Sequence, residues 1–204
     1  MLNCIDAYRK LDSFAMTIEH SDSSGLFPGR FKQSLVWAKG GKFALQVTQK
    51  TDFKPTSSQP GTVAPDYFSD GTQISVVEDA AVVRKEDVTP RPNTSPGWEV
   101  SGGLVLSILQ NTEMVKTLLD PPVAFKATYS FGPTKTFETE KVIDVQLKFV
   151  SGPNSQTVDV FIAQDNLLVG IMYDSHGKHW AHYSHRTANP PTPADLGIYK
   201  AKFL

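Results

Sequence analysis

The sequence has only one cysteine, Cys4, among its 204 residues, so a disulfide framework within the chain is excluded. It also lacks an excess of charge: 20 Lys and Arg stand against 21 Asp and Glu, for a net charge of −1. This balance argues against a surface dedicated to nucleic acids or anionic membranes. A chain of this size buries about 70% of the surface that its unfolded form exposes. It can therefore build a core without disulfides or a structural metal.

Long apolar runs are missing as well. The longest nearly apolar stretch, Gly102 to Leu109, is far shorter than the ~18–20 residues that a membrane-spanning helix requires. No basic segment followed by an apolar run precedes the first predicted helix, so an export signal is not visible. That observation is also expected of an exported protein whose leader has been removed, and it leaves the compartment open.

The common signatures of catalysis are absent too: there is no Gly-x-Ser-x-Gly elbow, phosphate-binding Walker loop, Gly-x-Gly-x-x-Gly turn or His-Glu-x-x-His helix. Histidine recurs at every third position from His176 to His185. On a strand, residues three apart point to opposite faces, so this run does not predict a metal site. Cys4 is interpreted as a small packing residue of a terminal helix. We therefore predict no catalytic residue, no cofactor and no metal ligand.

What the sequence does contain is apolar alternation. Ile5, Tyr8 and Leu11 lie on one face of an amphipathic helix. From Ser13 the period changes from 3.6 to 2, which predicts a strand. The apolar phases of the predicted strands are Phe14, Met16 and Ile18; Phe31, Leu35 and Trp37; Phe43, Leu45 and Val47; Ile74 and Val76; Phe125 to Phe131; Ile143 to Phe149; Val158 to Ile162; and Leu167 to Tyr173.

Turn residues separate these strands. Lys39-Gly40-Gly41 predicts one hairpin and Ser69-Asp70-Gly71 a second. Between the two halves of the chain, 104–109 is apolar nearly all round and 112–119 is amphipathic, which predicts a helix or a broken helical pair. A further strand is predicted around Trp180.

About ten one-sided strands with so few helices to cover them predict a particular fold class: α+β, mainly β. We expect a strongly curved antiparallel sheet that forms an unclosed barrel, capped by two or three helices around an apolar cavity, as a single domain over 1–204. Two interpretations of the apolar face stay open. Aromatic side chains such as Trp37, Phe43, Phe131 and Phe149 fill the interior as a solid core, or the face lines a cavity that accepts a ligand.

The order of these elements resembles the LolA/LolB-like outer-membrane lipoprotein carrier superfamily over nearly the whole chain. The segments that carry the resemblance are 8–14 (YRKLDSF), 35–39 (LVWAK), 67–71 (YFSDG), 103–109 (GLVLSIL), 145–147 (VQL) and 171–177 (IMYDSHG). The stretch 38–42 (AKGGK) has no arginine where carriers of the LolA type have one that helps to hold the lid. The resemblance thus points to an uncharacterised branch of the superfamily.

The resemblance implies a carrier-like protein of the periplasm, not an enzyme, that shelters an acyl chain or the lipid anchor of a lipoprotein. It implies a removed leader, with a lipid-anchored form as the alternative, and an envelope protein as a second partner. Alternatives are a stress-sensing or regulatory binding module of the same fold and an enzyme that uses the cavity as its substrate pocket. The strand phases and the lid predict the ligand-binding residues Phe14, Met16, Trp37, Phe43, Leu45, Leu104, Leu106, Ile108, Leu109, Phe131, Leu147, Ile171 and Trp180.

Overall fold

Eleven antiparallel strands form one continuous sheet in the computed structural model, which describes residues 2–22, 29–51, 65–87, 105, 108–109, 126–151, 154–174 and 178–200. One helix, α1 (Leu2–Arg9), precedes the sheet. The strands are β1 (Ser13–Asp22), β2 (Gly29–Ala38), β3 (Lys42–Thr51), β4 (Asp66–Asp70), β5 (Gln73–Glu78), β6 (Ala81–Asp87), β7 (Lys126–Phe137), β8 (Glu140–Ser151), β9 (Asn154–Ala163), β10 (Leu168–Asp174) and β11 (Lys178–Ala188).

The spatial order of the strands is β6-β5-β4-β3-β2-β1-β11-β10-β9-β8-β7. Strands β6 and β7 are therefore the two edges, and the sheet does not close. Each half of the chain forms a meander, and the halves join where β1 pairs with β11. The predicted mainly β fold with an unclosed antiparallel sheet is confirmed. A cap of two or three helices is not: the described residues include one complete helix, α1, with further helical residues at 105, 108 and 109.

The corner between α1 and β1 is fixed by the far end of the chain. Asn189 Oδ1 accepts a hydrogen bond from the Asp12 amide at 2.8 Å, and the Asn189 amide donates to the Ser13 carbonyl at 2.9 Å. At the same corner, the Lys39 ammonium lies 3.1 Å from an Asp12 carboxylate oxygen. Because backbone groups at a chain reversal need partners, these bonds set where α1 ends and β1 begins.

Both predicted hairpins are present. Gly40 and Gly41 adopt φ values of +89° and +79°, and Gly71 adopts +96°, a region that glycine enters without steric cost. In the second hairpin, the Asp70 carboxylate accepts hydrogen bonds from the Thr72 and Gln73 amides, each at 2.8 Å. These bonds hold the pKa of Asp70 down at about 2. The turn chemistry read from the sequence thus sets the pairing of β2 with β3 and of β4 with β5.

Strand β6 has no counterpart among the predicted strands. It pairs with β5 through Val76 and Arg84, and its two valines, Val82 and Val83, are exposed. An edge strand of this kind buries little, so apolar alternation is not required of it. The predicted helix over 104–109 agrees with the helical residues at 105, 108 and 109, and the predicted helix over 112–119 lies outside the described residues.

Each face of the sheet carries its own cluster of apolar side chains. We call the face that packs against α1 the inner face; it holds most of the buried apolar side chains of the molecule. The outer face carries a smaller set, which we call the outer cluster: Val142, Phe161, Ala163 and Val169, with Phe137 and Met172 packed against them. A sheet with one extensively apolar face must cover that face, and this requirement positions the candidate site.

Candidate functional site

The inner face is a continuous apolar surface contributed by nine of the eleven strands. Cross-strand pairing places Phe14 beside Trp37 and Trp37 beside Phe43, so the aromatic side chains form a row across β1, β2 and β3. Its buried apolar residues on the strands are Phe14, Met16, Ile18, Phe31, Leu35, Trp37, Phe43, Leu45, Tyr67, Ile74, Val76, Val145, Leu147, Val160, Ile162, Leu168, Ile171, Ala181 and Tyr183. Each of these side chains is at most 9% exposed. The face is therefore covered in this structure.

Helix α1 supplies part of that cover. Cys4, Ile5 and Tyr8 point from α1 into the same cluster, and the Tyr8 ring meets the Phe14 ring edge-on at 5.3 Å between centroids. Burial raises the pKa of the Cys4 thiol to about 12 and raises the pKa of Tyr8 well above its usual value of 10. Both groups stay neutral at physiological pH, so α1 presents an uncharged surface to the inner face.

The segment around residue 108 supplies a second part of the cover. Val105 and Ile108 are buried in the inner-face cluster, and Leu109 packs against it. Two elements distant in sequence, α1 and these helical residues, thus meet the same surface. An acyl chain could reach the inner face only if one of them moved, because the side chains beneath are inaccessible to water.

Most of the predicted ligand-binding residues lie together. Seven of them are on the inner face, namely Phe14, Met16, Trp37, Phe43, Leu45, Leu147 and Ile171. Ile108 and Leu109 lie against the same cluster, as the predicted lid requires. Leu104 and Leu106 lie outside the described residues.

Phe131 does not join these buried residues, because the structure leaves 74% of it exposed. Phe131 pairs with Val145, an inner-face residue, but it lies on the edge strand β7 with no strand beyond it. The β7–β8 register shifts directly after it, between Phe131 and Thr134. Strand periodicity gives the phase of a side chain but cannot tell whether a neighbouring element covers it.

The structure places Trp180 on the outer face, away from the predicted ligand-binding residues that lie on the inner face. Trp180 pairs with Met172, which packs against the outer cluster, whereas the inner-face position beside Ile171 belongs to Ala181. A strand shifted by one residue exchanges its two faces, and the sequence around Trp180 offers little apolar alternation to fix the phase. Trp180 therefore does not belong to the candidate site.

Two polar side chains that the sequence reading did not single out are buried on the inner face. Gln33 lies between Phe31 and Leu35 in the apolar phase of β2, and His20 continues the phase of β1. The His20 ring packs against the Phe31 ring at 4.5 Å between centroids. The signal was present in the sequence: each is a polar residue at a position where the period of two calls for an apolar one.

Gln33 is buried, and its amide forms no hydrogen bond with the described part of the chain. It is 0% exposed, and neither its amide nitrogen nor its amide oxygen has a partner there. On the same strand and face, Trp37 Nε1 is likewise buried without an acceptor. Buried polar groups are nearly always hydrogen-bonded, so these two positions depart from what a purely structural core requires.

The outer face carries a charged arrangement of its own. Lys135 Nζ lies 2.7 Å from Asp144 Oδ2 and 4.5 Å from the centre of the Phe161 ring. Phe137 stacks on Phe161 at 4.3 Å. The Arg186 guanidinium pairs with the Glu140 carboxylate, which fastens the start of β8 to β11. These contacts close the β7–β8 hairpin onto the outer face, and nothing in them is arranged for catalysis.

The histidine run is not brought together. The His182 ring meets the Phe137 ring edge-on at 5.7 Å, on the outer face. His185 lies at the bulge where the register between β11 and β1 shifts. Its backbone has a φ of +49°, and the residue is exposed. His176 lies outside the described residues. Among the residues that the structure describes, no three His, Cys, Asp or Glu side chains are grouped so that they could hold a metal ion.

The part of the chain that the structure describes contains no helix that is both long and apolar enough to cross a membrane. No protein-family model and no curated protein matches the sequence.

Solved structures do match this fold. The structure is similar to that of LprF from Mycobacterium bovis, at 12% identity and a TM-score of 0.54, over 96% of this chain and 95% of that one. It is also similar to the lipoprotein LppX from Mycobacterium tuberculosis (12% identity, TM-score 0.48, 95% of each chain). A LolA superfamily protein from Nitrosomonas europaea matches at 7% identity and a TM-score of 0.41, over 97% of this chain and 95% of that one.

At identities this low, a structural match is evidence for the fold alone. The match to LprF supports a shared fold because its TM-score exceeds 0.5. The chain therefore shares the fold of LprF over nearly its whole length.

Proposed function

We propose that this protein is a carrier-like lipid-binding protein of the periplasm, which shelters an acyl chain or the lipid anchor of a lipoprotein against the inner face. The observation that carries the proposal is the extent of that face. Nine strands contribute apolar side chains to it, while the described helical residues that cover it belong to α1 and to positions 105, 108 and 109. The role is one of binding, without catalytic chemistry.

The energetics of such binding need no specific polar contact. Each methylene group moved from water into an apolar environment contributes about 0.8 kcal/mol, so an alkyl chain of ordinary length gains affinity from burial alone. Part of this gain is spent on separating the cover from the inner face, since Phe14 and Tyr8 are in contact before ligand arrives. Uptake and release are then both controlled by the movement of the cover.

A fluorescent fatty-acid probe tests the proposal directly. We expect saturable binding by the purified protein, displacement by unlabelled long-chain lipids, and co-purified lipid in native mass spectra. Absence of binding with every acyl probe tried would exclude the proposed function.

A matched pair of variants localises the binding. Leu147 is buried on the inner face. Ile143 lies four residues earlier on the same strand and points to the same face, but it is 46% exposed. Leu147→Trp fills space beneath the cover and is expected to weaken probe binding about tenfold. Ile143→Trp adds the same ring where solvent accommodates it, and binding should change less than about twofold. Equal effects of the two substitutions would place the binding site elsewhere.

The Cys4 thiol reports whether α1 has moved away from the inner face. Cys4 is 1% exposed in α1, and its raised pKa of about 12 makes it unreactive while α1 is in place. If the ligand enters by displacing α1, then the rate at which iodoacetamide alkylates Cys4 should rise during exchange of bound lipid. An unchanged rate during exchange would assign the movement to the segment around Ile108 instead.

A further inference from the structure

Gln33 lies on the inner face among mostly apolar side chains, with His20 at the adjacent same-face position of β1. It is opposite Ile18 on β1 and opposite Val47 on β3, and its neighbours along the same face of β2 are Phe31 and Leu35. It is completely buried. The β2–β3 register shifts directly beside it, between Lys32 and Gln33, which is a local irregularity of the kind that redirects a side chain.

Within the described part of the chain, the primary amide of Gln33 lacks both of the partners that it requires. Its nitrogen can donate two hydrogen bonds and its oxygen can accept, and none of these bonds is formed with a residue that the structure describes. Burial of an amide without partners is unfavourable, and an apolar side chain of the same size would remove that cost. Gln33 thus makes the ligand-free protein less stable than an apolar residue at the same position would.

We propose that Gln33 is a polar anchor for the bound lipid, one whose uncharged head places a hydrogen-bond acceptor next to a hydrogen-bond donor. This inference rests on the proposed function, and it names the chemical class of the ligand. The Gln33 amide nitrogen donates to a carbonyl oxygen of the ligand, and the amide oxygen accepts from a neighbouring hydroxyl. A hydroxy ester, such as a monoacylglycerol, and a protonated carboxylic acid both provide this pair.

The choice of an uncharged head follows from the surroundings of the amide. The residues directly opposite Gln33, Ile18 and Val47, are apolar, and His20 at the adjacent same-face position of β1 packs against the Phe31 ring. An ionised carboxylate or phosphate beside the amide would be stripped of water, which is unfavourable. A plain alkyl chain would leave both polar atoms of the amide unsatisfied. Only an uncharged ligand group with a hydrogen-bond donor beside an acceptor provides partners for both the nitrogen and the oxygen of the amide.

The test compares four sixteen-carbon ligands in competition with a fluorescent acyl probe. Monopalmitoylglycerol offers a carbonyl beside a hydroxyl, palmitic acid at pH 5 offers a carboxyl group that is partly protonated, methyl palmitate offers a carbonyl alone, and hexadecane offers neither. We expect the wild-type protein to bind monopalmitoylglycerol about tenfold more tightly than methyl palmitate, since one further hydrogen bond is formed. Stronger binding of palmitic acid than of monopalmitoylglycerol would identify the carboxylic acid as the source of the pair.

Two substitutions of the same kind separate a polar anchor from a change of packing. Gln33→Met removes the amide at nearly constant volume, and we expect the four ligands to bind with affinities that differ less than about threefold. Gln46→Met makes the same change at an exposed position of β3 outside the inner face, and it should keep the wild-type preference. In the absence of ligand, Gln33→Met should also raise the melting temperature by about 2–4 °C, because the unsatisfied amide is gone.

The outcomes distinguish the two levels of the proposal. If the wild-type protein binds all four ligands equally, Gln33 is not a polar anchor, while the proposed lipid binding stands. If it binds none of them, the proposed function fails and the inference fails with it. The comparison among ligands with the wild-type protein decides the question even if Gln33→Met does not fold.

Discussion

The Leu168 backbone amide donates a hydrogen bond of 3.2 Å to Tyr8 Oη, so β10 is tied directly to α1. The carbonyl of the same residue accepts a hydrogen bond of 3.0 Å from Arg186 Nη1 on β11. Both backbone groups of Leu168 therefore form hydrogen bonds with side chains from other elements. A helix of eight residues has little intrinsic stability, and this bond is one of the few that hold α1 over the inner face.

Replacing Tyr8 by phenylalanine tests this connection. The ring is retained, but the buried amide of Leu168 loses its acceptor, and we expect the free energy of unfolding to fall by about 1–3 kcal/mol. Urea denaturation followed by tryptophan fluorescence measures the change. Tyr199→Phe is the matched control, because the Tyr199 hydroxyl donates to the Ala80 carbonyl in an exposed position. Its cost should stay below about 0.5 kcal/mol, and equal costs would contradict the role given to Tyr8.

The Cys4 thiol predicts a loss of stability in alkaline solution. Burial raises its pKa from 9.0 to about 12, so the folded protein holds the proton over a range in which the unfolded chain has lost it. The unfolded state then binds fewer protons, and stability falls as pH rises from about 9 to about 12. The slope is at most about 1.4 kcal/mol per pH unit for one proton. Urea denaturation at several pH values measures it. Cys4→Ala should flatten the slope, and an unchanged slope would show that this thiol is not the source.

Alternation predicted much of the inner face because the phase of β1 to β3 is unambiguous. Phe14, Trp37 and Phe43 occupy the positions that a period of two assigns to them, and their pairing follows from the hairpin turns. The turn at Gly71 set the second hairpin in the same way. Local chemistry was sufficient wherever one face is strongly apolar and the turn type fixes the register.

The remaining differences have physical causes that are not local. Trp180 lies on the outer face because pairing with β1 and β10, rather than the apolar pattern of β11 itself, decides which residues of β11 face inward. Phe131 has the expected phase, but its burial depends on whether another element lies beyond β7. The sequence alone does not reveal the importance of Gln33, because a polar residue at an apolar position is informative only when its surroundings are known to be buried.

The turn at Asp70 predicts a loss of stability in acid. Hydrogen bonds from the Gln73 and Thr72 amides and from the Thr72 hydroxyl hold the pKa of Asp70 at about 2, below its usual value of 3.8. The folded state therefore loses this contribution as pH falls from about 4 to about 2. Asp70→Asn keeps an acceptor oxygen but cannot be protonated in this range. We expect melting curves of the variant to show a weaker dependence on pH between 4 and 2 than those of the wild type, and parallel curves would contradict the assignment.

The last prediction concerns the ion pair on the outer face. The Asp144 side chain is 6% exposed and that of Lys135 37% exposed, with 2.7 Å between their charged atoms. Lys135→Met removes the positive charge and leaves a buried carboxylate, which should cost about 2–4 kcal/mol in urea denaturation at neutral pH. The double variant Lys135→Met/Asp144→Asn removes both charges and should recover most of the loss. If the double variant is no more stable than Lys135→Met, then the cost arises from the lost contact of the Lys135 ammonium with the Phe161 ring, and not from the unpaired carboxylate.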